Sequence, residues 1–430
     1  MNAPLKIAVA GLGTVGTGTL QLLQRQAEPL AVRAGRPLAV VAVSARDRGR
    51  DRGVDLAAVR WYDNAAALAV DPEVDVVVEL IGGADGIGRE VVETALAHKK
   101  HVVTANKALM AQHGTALAGK AEAAGVALAF EAAVAGGIPI IKTLREGLAG
   151  NRLSRVYGIL NGTTNYILTT MRETGRDFAE VLAEAQKLGY AEADPSFDID
   201  GVDASHKLAI LASVAFGRPV DLAGVYCEGI RHVSRLDIEF AEELGYRIKL
   251  LGIARLTDHG LEQRVHPCMV RRETPIAAVE GVFNGIVAEG DFVGQLMLEG
   301  RGAGAGPTAS AVVADLVDIA TGRRVAPFGV PVSSLGRLPG APMESHQGAY
   351  YIRLMVMDQP GVIADVAAAL RDQQVSLESM IQRGRSESEA VPVVLTTHAT
   401  VEAAMQKAMT AIGELKSVLE LPRIIRIEDF

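Results

Sequence analysis

The residues best suited to proton chemistry lie between Gly189 and Leu211, GYAEADPSFDIDGVDASHKLAIL. Five acids, Glu192, Asp194, Asp198, Asp200 and Asp203, precede one lysine, Lys207, and a strongly apolar run follows. Pro195 and Gly201 break the first half into a loop. From Val202 onward the spacing predicts a helix, with Leu208, Leu211, Ala212 and Ala215 free to face a core. On that helix Asp203 and Lys207 stand at i and i+4, side by side on one face. Two readings fit these residues. One is an exposed ion pair above a solvated acidic loop, which would contribute little. The other is a site for a small cationic substrate, with a lysine held among acids for proton transfer.

A second chemistry sits near the N-terminus. A short apolar strand, Lys6–Ala10, runs into Gly11-Leu12-Gly13-Thr14-Val15-Gly16 and then a helix through Gln26. G-x-G-x-x-G between a strand and a helix suits a dinucleotide. The first two glycines allow a tight turn and close pyrophosphate approach, the third lets helix and strand pack, and the helix N-terminus favours phosphate. The next strand, Pro37–Val43, ends in Ser44-Ala45-Arg46-Asp47. Arg46 there suits a 2′-phosphate and hence NADP, while Asp47 beside it keeps NAD open. Further along, Glu79-Leu80-Ile81-Gly82-Gly83 and Thr104-Ala105-Asn106-Lys107 close two more strand ends, where such sheets bind ligands. Lys107 falls at the nicotinamide end of such a site or is a surface lysine at a helix start.

The elements that must position these groups follow from pattern. Residues 1–133 alternate strand and helix, with Val74–Leu80 reading as a strand buried on both faces and Ala127–Glu131 as the closing strand. The small-residue stretch Ala132–Ile141 marks a boundary whose main-chain carbonyls could bind a cation. Residues 134–322 change to longer helices and alternating strands, including helices Phe178–Leu188, Val202–Phe216 and Ser310–Thr321. Residues 323–348 are rich in Pro and Gly and read as a linker. Residues 349–430 follow the β-α-β-β-α-β order of a ferredoxin-like split unit. The fold class is therefore α/β: a Rossmann-type dinucleotide-binding domain, an α+β substrate and dimerisation domain, and a C-terminal ferredoxin-like domain.

Composition narrows the function. A chain of 430 residues is too long for one core, and 49% hydrophobic with 22% charged residues marks it as globular. A formal charge of −8 and the lack of a basic run argue against nucleic acid. Cys227 and Cys268 form no C-x-x-C, and the nine histidines show no metal-ligand spacing, so a reducing cytoplasm is expected. The longest apolar run, near Gly125 to Ile141, is broken by Glu131, Gly136, Gly137 and Pro139 and should not span a bilayer.

Taken together, Gly11–Gly16, Glu79–Gly83, Thr104–Lys107, Glu131–Ile141, Gly158–Tyr166, Gly189–Lys207 and Gly302–Thr308 resemble, in order, the homoserine dehydrogenases that carry a C-terminal ACT domain. Asp358–Gly361 followed by Val362–Leu370 resembles the ligand-binding turn of ACT modules. The resemblance implies NAD(P)-dependent interconversion of L-homoserine and L-aspartate 4-semialdehyde, on the route to threonine, methionine and isoleucine. It implies that Glu192 and Asp203 contact substrate and that Lys207 is the proton donor, with Lys107 beside nicotinamide and substrate. Cofactor contacts would fall on Gly11, Gly13, Thr14, Val15, Gly16, Thr104, Lys107, Gly189 and Gly304, with Arg46 on the 2′-phosphate. Glu131, Val134, Gly136 and Ile138 match positions whose oxygens hold a structural monovalent cation, typically sodium. The ACT module implies feedback by L-threonine, or pairing alone, in a homodimer or homotetramer. A cysteine-acylating aspartate-semialdehyde dehydrogenase and a non-catalytic amino-acid sensor are the rival readings.

Overall fold

The computed structural model describes residues 2–383 and 390–430. The chain folds into two compact units. The first comprises Met1–Gly162, Asp203–Val225 and Val282–Leu338, and the second Thr163–Val202, Tyr226–Gly281 and Pro339–Phe430.

The first unit is built on a parallel sheet of β1 (Leu5–Ala10), β2 (Leu38–Ser44), β3 (Arg60–Trp61), β4 (Val76–Glu79), β5 (His101–Thr104) and β6 (Leu128–Ala129). Their spatial order is β3-β2-β1-β4-β5-β6, the doubly wound order that reverses between β1 and β4. Helices α1 (Thr14–Arg25), α2 (Ala27–Ala34), α3 (Ala65–Val70), α4 (Ile87–Ala97) and α5 (Lys107–Ala124) follow the strands. Ile7, Val9, Val43, Val76, Val78 and Val103 form the centre of the core. Two expectations change in detail. The first helix stops at Arg25 and a new one starts at Ala27, because Pro29 has no N–H to continue the ladder but is tolerated in a first turn. The strand expected to reach Glu131 ends at Ala129, since the Glu131 N–H turns away to donate to Asp315 Oδ2 at 3.0 Å.

The same unit holds an antiparallel set in which Phe283–Gly290 pairs with both Leu153–Ile159 and Gly294–Arg301. The helix expected over Ser310–Thr321 begins at Ala305, with Pro307 again in a first turn where its missing N–H costs nothing.

In the second unit the hairpin Tyr246–Thr257/Gly260–Arg271 pairs along its whole length. Gln347–Met357, Leu377–Gln382, Ala390–Thr397 and Arg423–Glu428, with helices Val362–Asp372 and Glu402–Gly413, realise the predicted split β-α-β-β-α-β unit. Its core is Tyr350, Ile352, Leu354, Val366, Val393 and Met405. Arg423–Glu428 also pairs in parallel with Gly260–Arg271, so the sheet runs on without a break from hairpin to split unit. Within the Pro/Gly-rich stretch, Pro339 accepts from the Leu261 N–H and Ala341 donates back to the Leu261 carbonyl, at 2.9 and 3.0 Å.

Candidate active site

The glycine turn after β1 behaves as its motif requires. Gly11 has φ +101°, and a Cβ there would lie 2.6 Å from the Leu80 carbonyl. A Cβ on Gly16 would collide with the Gly11 carbonyl, so helix and turn pack backbone to backbone. Gly13 faces open space, which leaves room for a phosphate to come close. Beside it opens a cleft of about 660 Å³ lined by Gly11, Gly13, Ser44, Arg46, Arg50 and Arg52 among others. Arg46 and Arg50 are exposed. Arg52 is spent on the chain, donating to the carbonyls of Leu12, Asp47 and Arg50. These groups fit a dinucleotide.

Across the switch point, buried Glu79 organises the second loop. One carboxylate oxygen accepts from Ile81 N and Gly82 N at 2.8 and 3.0 Å, and the other from Thr104 Oγ1 at 2.7 Å. Asn106 caps α5 by accepting from Leu109 N and donates from its amide to the Gly83 carbonyl at 2.7 Å. That cap places Lys107 on the first turn of α5.

The reactive cluster centres on Asp203. Lys207 Nζ donates to Asp203 Oδ2 and to the Leu160 carbonyl, each at 2.7 Å. Asn161 Nδ2 donates to the same carboxylate oxygen at 2.8 Å, and Lys107 pairs with Oδ1. The Asp203 side chain is 2% exposed, Lys207 9% and Lys107 36%. Burial alone would raise the Asp203 carboxyl. The ammonium groups of Lys207 and then Lys107 overcome it and hold the acid below the usual carboxylate range. Two lysine ammonium groups thus meet on one buried carboxylate.

The loop of the expected cation ligands, Glu131–Ile138, is buried except at Gly137 and turns through φ +50° at Ala135. The Glu131 carboxylate is taken by the N–H groups of Ile141 and Lys142 at 2.9 and 2.8 Å. What Glu131 can offer an ion is therefore its carbonyl, as can Val134, Gly136 and Ile138. A carbonyl keeps a second lone pair even where it accepts a backbone bond, so these oxygens retain the capacity to bind an ion. Nearby, Gly302 packs against the Asn284 side chain and Gly304 sits at φ +114° ahead of the Ala305–Ala320 helix.

The structure thus brings Lys107, Asp203 and Lys207 together, and gathers Gly11, Gly13, Thr14, Val15, Gly16 and Arg46 around one glycine turn. Thr104 ends β5 and binds Glu79. Glu192 and Gly189 belong to the second unit; Gly189, at φ +75°, ends the Phe178–Lys187 helix, and the Glu192 carbonyl accepts from Gln186. Spacing singles out neither Arg50 and Arg52, which line the cleft, nor the bond from Asn161 to Asp203. Cys268 is buried and its thiol is pushed up by burial, which suits no nucleophile.

A doubly wound sheet with this glycine turn, beside a buried lysine–carboxylate cluster, defines a class: a dinucleotide-dependent oxidoreductase. Comparison with known proteins names the family. The homoserine dehydrogenase family model matches residues 139–317, its NAD-binding domain residues 11–131, and an ACT domain residues 350–415. A homoserine dehydrogenase of Pseudomonas aeruginosa is 47% identical, with 99% of each chain covered. The crystal structure of a homoserine dehydrogenase from Thiobacillus denitrificans matches with a TM-score of 0.94 at 47% identity, covering 99% of this chain and 98% of that one. A hyperthermophilic archaeal homoserine dehydrogenase in complex with NADPH matches with a TM-score of 0.65 at 27% identity, covering 75% of this chain and 99% of its own. The chain belongs to the homoserine dehydrogenase family, with a nicotinamide-dinucleotide domain and a C-terminal ACT domain.

Proposed function

We propose that the chain interconverts L-homoserine and L-aspartate 4-semialdehyde with NADP preferred over NAD. In this reading it serves threonine, methionine and isoleucine synthesis in the cytoplasm as a homodimer or homotetramer. The observation that carries the reading is Asp203 shared between Lys107 and Lys207. When bound, the nicotinamide supplies or accepts hydride; the chain must orient substrate and move one proton. Lys207, with donors fixed by Asp203 and the Leu160 carbonyl, is aimed and gives the proton to the oxygen of the reduced aldehyde. Lys107, the more open of the two, adds positive charge beside that oxygen. Glu192 is the partner for the substrate ammonium. Arg46, with Arg50 in the same cleft, meets a 2′-phosphate. The archaeal relative in complex with NADPH supports that preference. The carbonyls of Glu131, Val134, Gly136 and Ile138 would hold a structural sodium ion. Threonine acting through the ACT domain would lower the rate.

The test is a homoserine oxidation assay with each dinucleotide, with and without threonine. Turnover faster with NADP and slowed by millimolar threonine is expected. No turnover with either dinucleotide sinks the catalytic reading, and indifference to threonine sinks the feedback alone.

A further inference from the structure

The acidic loop that ends at Asp203 is braced from the ACT domain. Its last residues before the Val202–Phe216 helix, Ile199–Gly201, lie against the segment Tyr226–Arg231. The Ile230 N–H donates to the Ile199 carbonyl at 2.8 Å, and Cys227 Sγ donates to the Asp200 carbonyl at 3.1 Å. Arg231 reaches Ser196 Oγ at 2.9 Å and pairs with the Asp200 carboxylate. A Cβ on Gly229 would collide with the Ile199 carbonyl and the Asp200 backbone, so the two chains touch backbone to backbone. Gly201 stands at φ +84°, where an added Cβ would lie 3.0 Å from Cys227 Sγ. Little slack exists between the two segments.

The other side of Tyr226–Arg231 is held by the sheet. Tyr226 and Cys227 pair with Arg264 and Val265, and the Glu228 N–H donates to the Val265 carbonyl at 2.8 Å. The side chains are held by Arg426, on the last strand of the ACT domain. Its guanidinium donates to Glu228 Oε2 at 2.9 Å and to the Tyr226 hydroxyl at 3.3 Å, and it lies 5.2 Å from the Tyr226 ring centre. It is fixed in turn by Glu402 on an ACT helix, at 2.6 and 2.9 Å. Tyr226 also donates to Glu228 at 3.2 Å.

We infer that Arg426 and Glu228 are positioning residues for the substrate loop. They act through Tyr226–Arg231 to fix Ile199–Gly201, the end of the acidic loop that holds Glu192. Any effector that shifts the last ACT strand then changes substrate affinity first. The inference rests on the proposed role of that loop in holding homoserine.

The test uses the full-length enzyme. Glu228→Gln breaks the charge pair at a side chain that is one-third exposed, so the fold is retained. The KM for homoserine should rise about three- to tenfold, with kcat within about twofold and the dinucleotide KM unchanged. Gly229→Ala, which forces the two backbones apart, should raise the homoserine KM further, and Arg426→Lys should fall between wild type and Glu228→Gln. Hydrogen exchange at residues 196–202 should quicken in Glu228→Gln, a readout that needs no turnover and separates this inference from the assignment of the reaction. An unchanged homoserine KM with unchanged exchange overturns the proposal. So does a parallel loss of homoserine and dinucleotide affinity with a lowered Tm, which would mean general loosening.

Discussion

In the first unit one buried carboxylate, Asp203, serves two lysines, whereas in the second two buried guanidiniums, Arg264 and Arg426, are met by four carboxylates. Arg264 takes Glu428 with both of its terminal nitrogens, at 2.5 and 3.1 Å, and has Glu262 at 3.2 Å. Arg426 takes Glu402 and Glu228. The second network is closed: each cation is enclosed by anions of this chain, across the ladder that joins the ACT domain to the Gly260–Arg271 strand. The first is more open, with one of its cations 36% exposed. Buried charge by itself does not mark a reactive site. His266, Cys268 and Glu428 stand close enough to hold a metal. Yet the Arg264 guanidinium lies 2.8 Å from His266 Nε2, and burial pushes the Cys268 thiol up toward its protonated form. The positive charge a metal would bring there is already supplied.

The largest effect should come from the open network. Lys207→Ala should lower kcat by about 10²- to 10⁴-fold, the range for a lost proton-transfer group, while dinucleotide binding measured by fluorescence stays intact. A variant that turns over within tenfold of wild type would move the proton to Lys107 and break the comparison at its first term. In the closed network the loss should appear in stability. Arg264→Met strands Glu428 and Glu262 in the interior and should cost about 3–5 kcal/mol in urea unfolding. Adding Glu428→Leu removes one of the stranded charges, so the double variant should be more stable than Arg264→Met alone. Strict additivity would mean that the two groups do not act as a unit.

The same contrast predicts opposite responses to pH. Glu131, buried and facing Asp315, is pushed up to about 7 from its ordinary 4.5. A carboxyl that binds its proton better when folded loses stability as pH rises from about 4.5 to about 7, here by up to about 3 kcal/mol. Glu262 is buried too, but the His346 hydrogen bond and Arg264 overcome that and bring it down to about 2. Its contribution is present above about pH 4.5 and is lost as pH falls toward 2. Glu131→Gln should therefore flatten the stability curve between pH 4.5 and 7, and Glu262→Gln should flatten it below 4.5. Thermal melts across both windows check the sign of each.

What could be read from sequence follows from how local each feature is. Gly11–Gly16 was legible because a turn, a close approach and a packed helix all fall within one strand–helix junction. Asp203 and Lys207 were legible because helical spacing alone makes them neighbours, and they bond at 2.7 Å. Lys107 meeting the same carboxylate, and Asn161 completing it, depend on distant loops converging, which leaves no period in the chain. The β-α-β-β-α-β order of the ACT domain was readable from alternation, but its parallel pairing with Gly260–Arg271 was not, since strand partners carry no mark of each other. Arg52 shows the same limit. Its three carbonyl partners lie on two different stretches of backbone.

Arg52 and Arg46 repeat the closed and open contrast on a smaller scale within one cleft. Arg52 is spent on carbonyls and holds the loop after β2 in shape, whereas Arg46 is exposed at the cleft with its charge available. Removing Arg46 should therefore act on one ligand feature and not on the fold. Arg46→Ala is expected to raise the KM for NADPH about tenfold, one charge-assisted contact's worth, and to leave the KM for NADH within about twofold. Arg52→Ala should raise both together, because the loop that both dinucleotides share loses its tie to Leu12. Initial rates with each dinucleotide at saturating aldehyde separate the two patterns. Equal loss of NADPH and NADH affinity in Arg46→Ala would show that Arg46 holds the loop as Arg52 does, and the NADP preference would then need another source in Arg50.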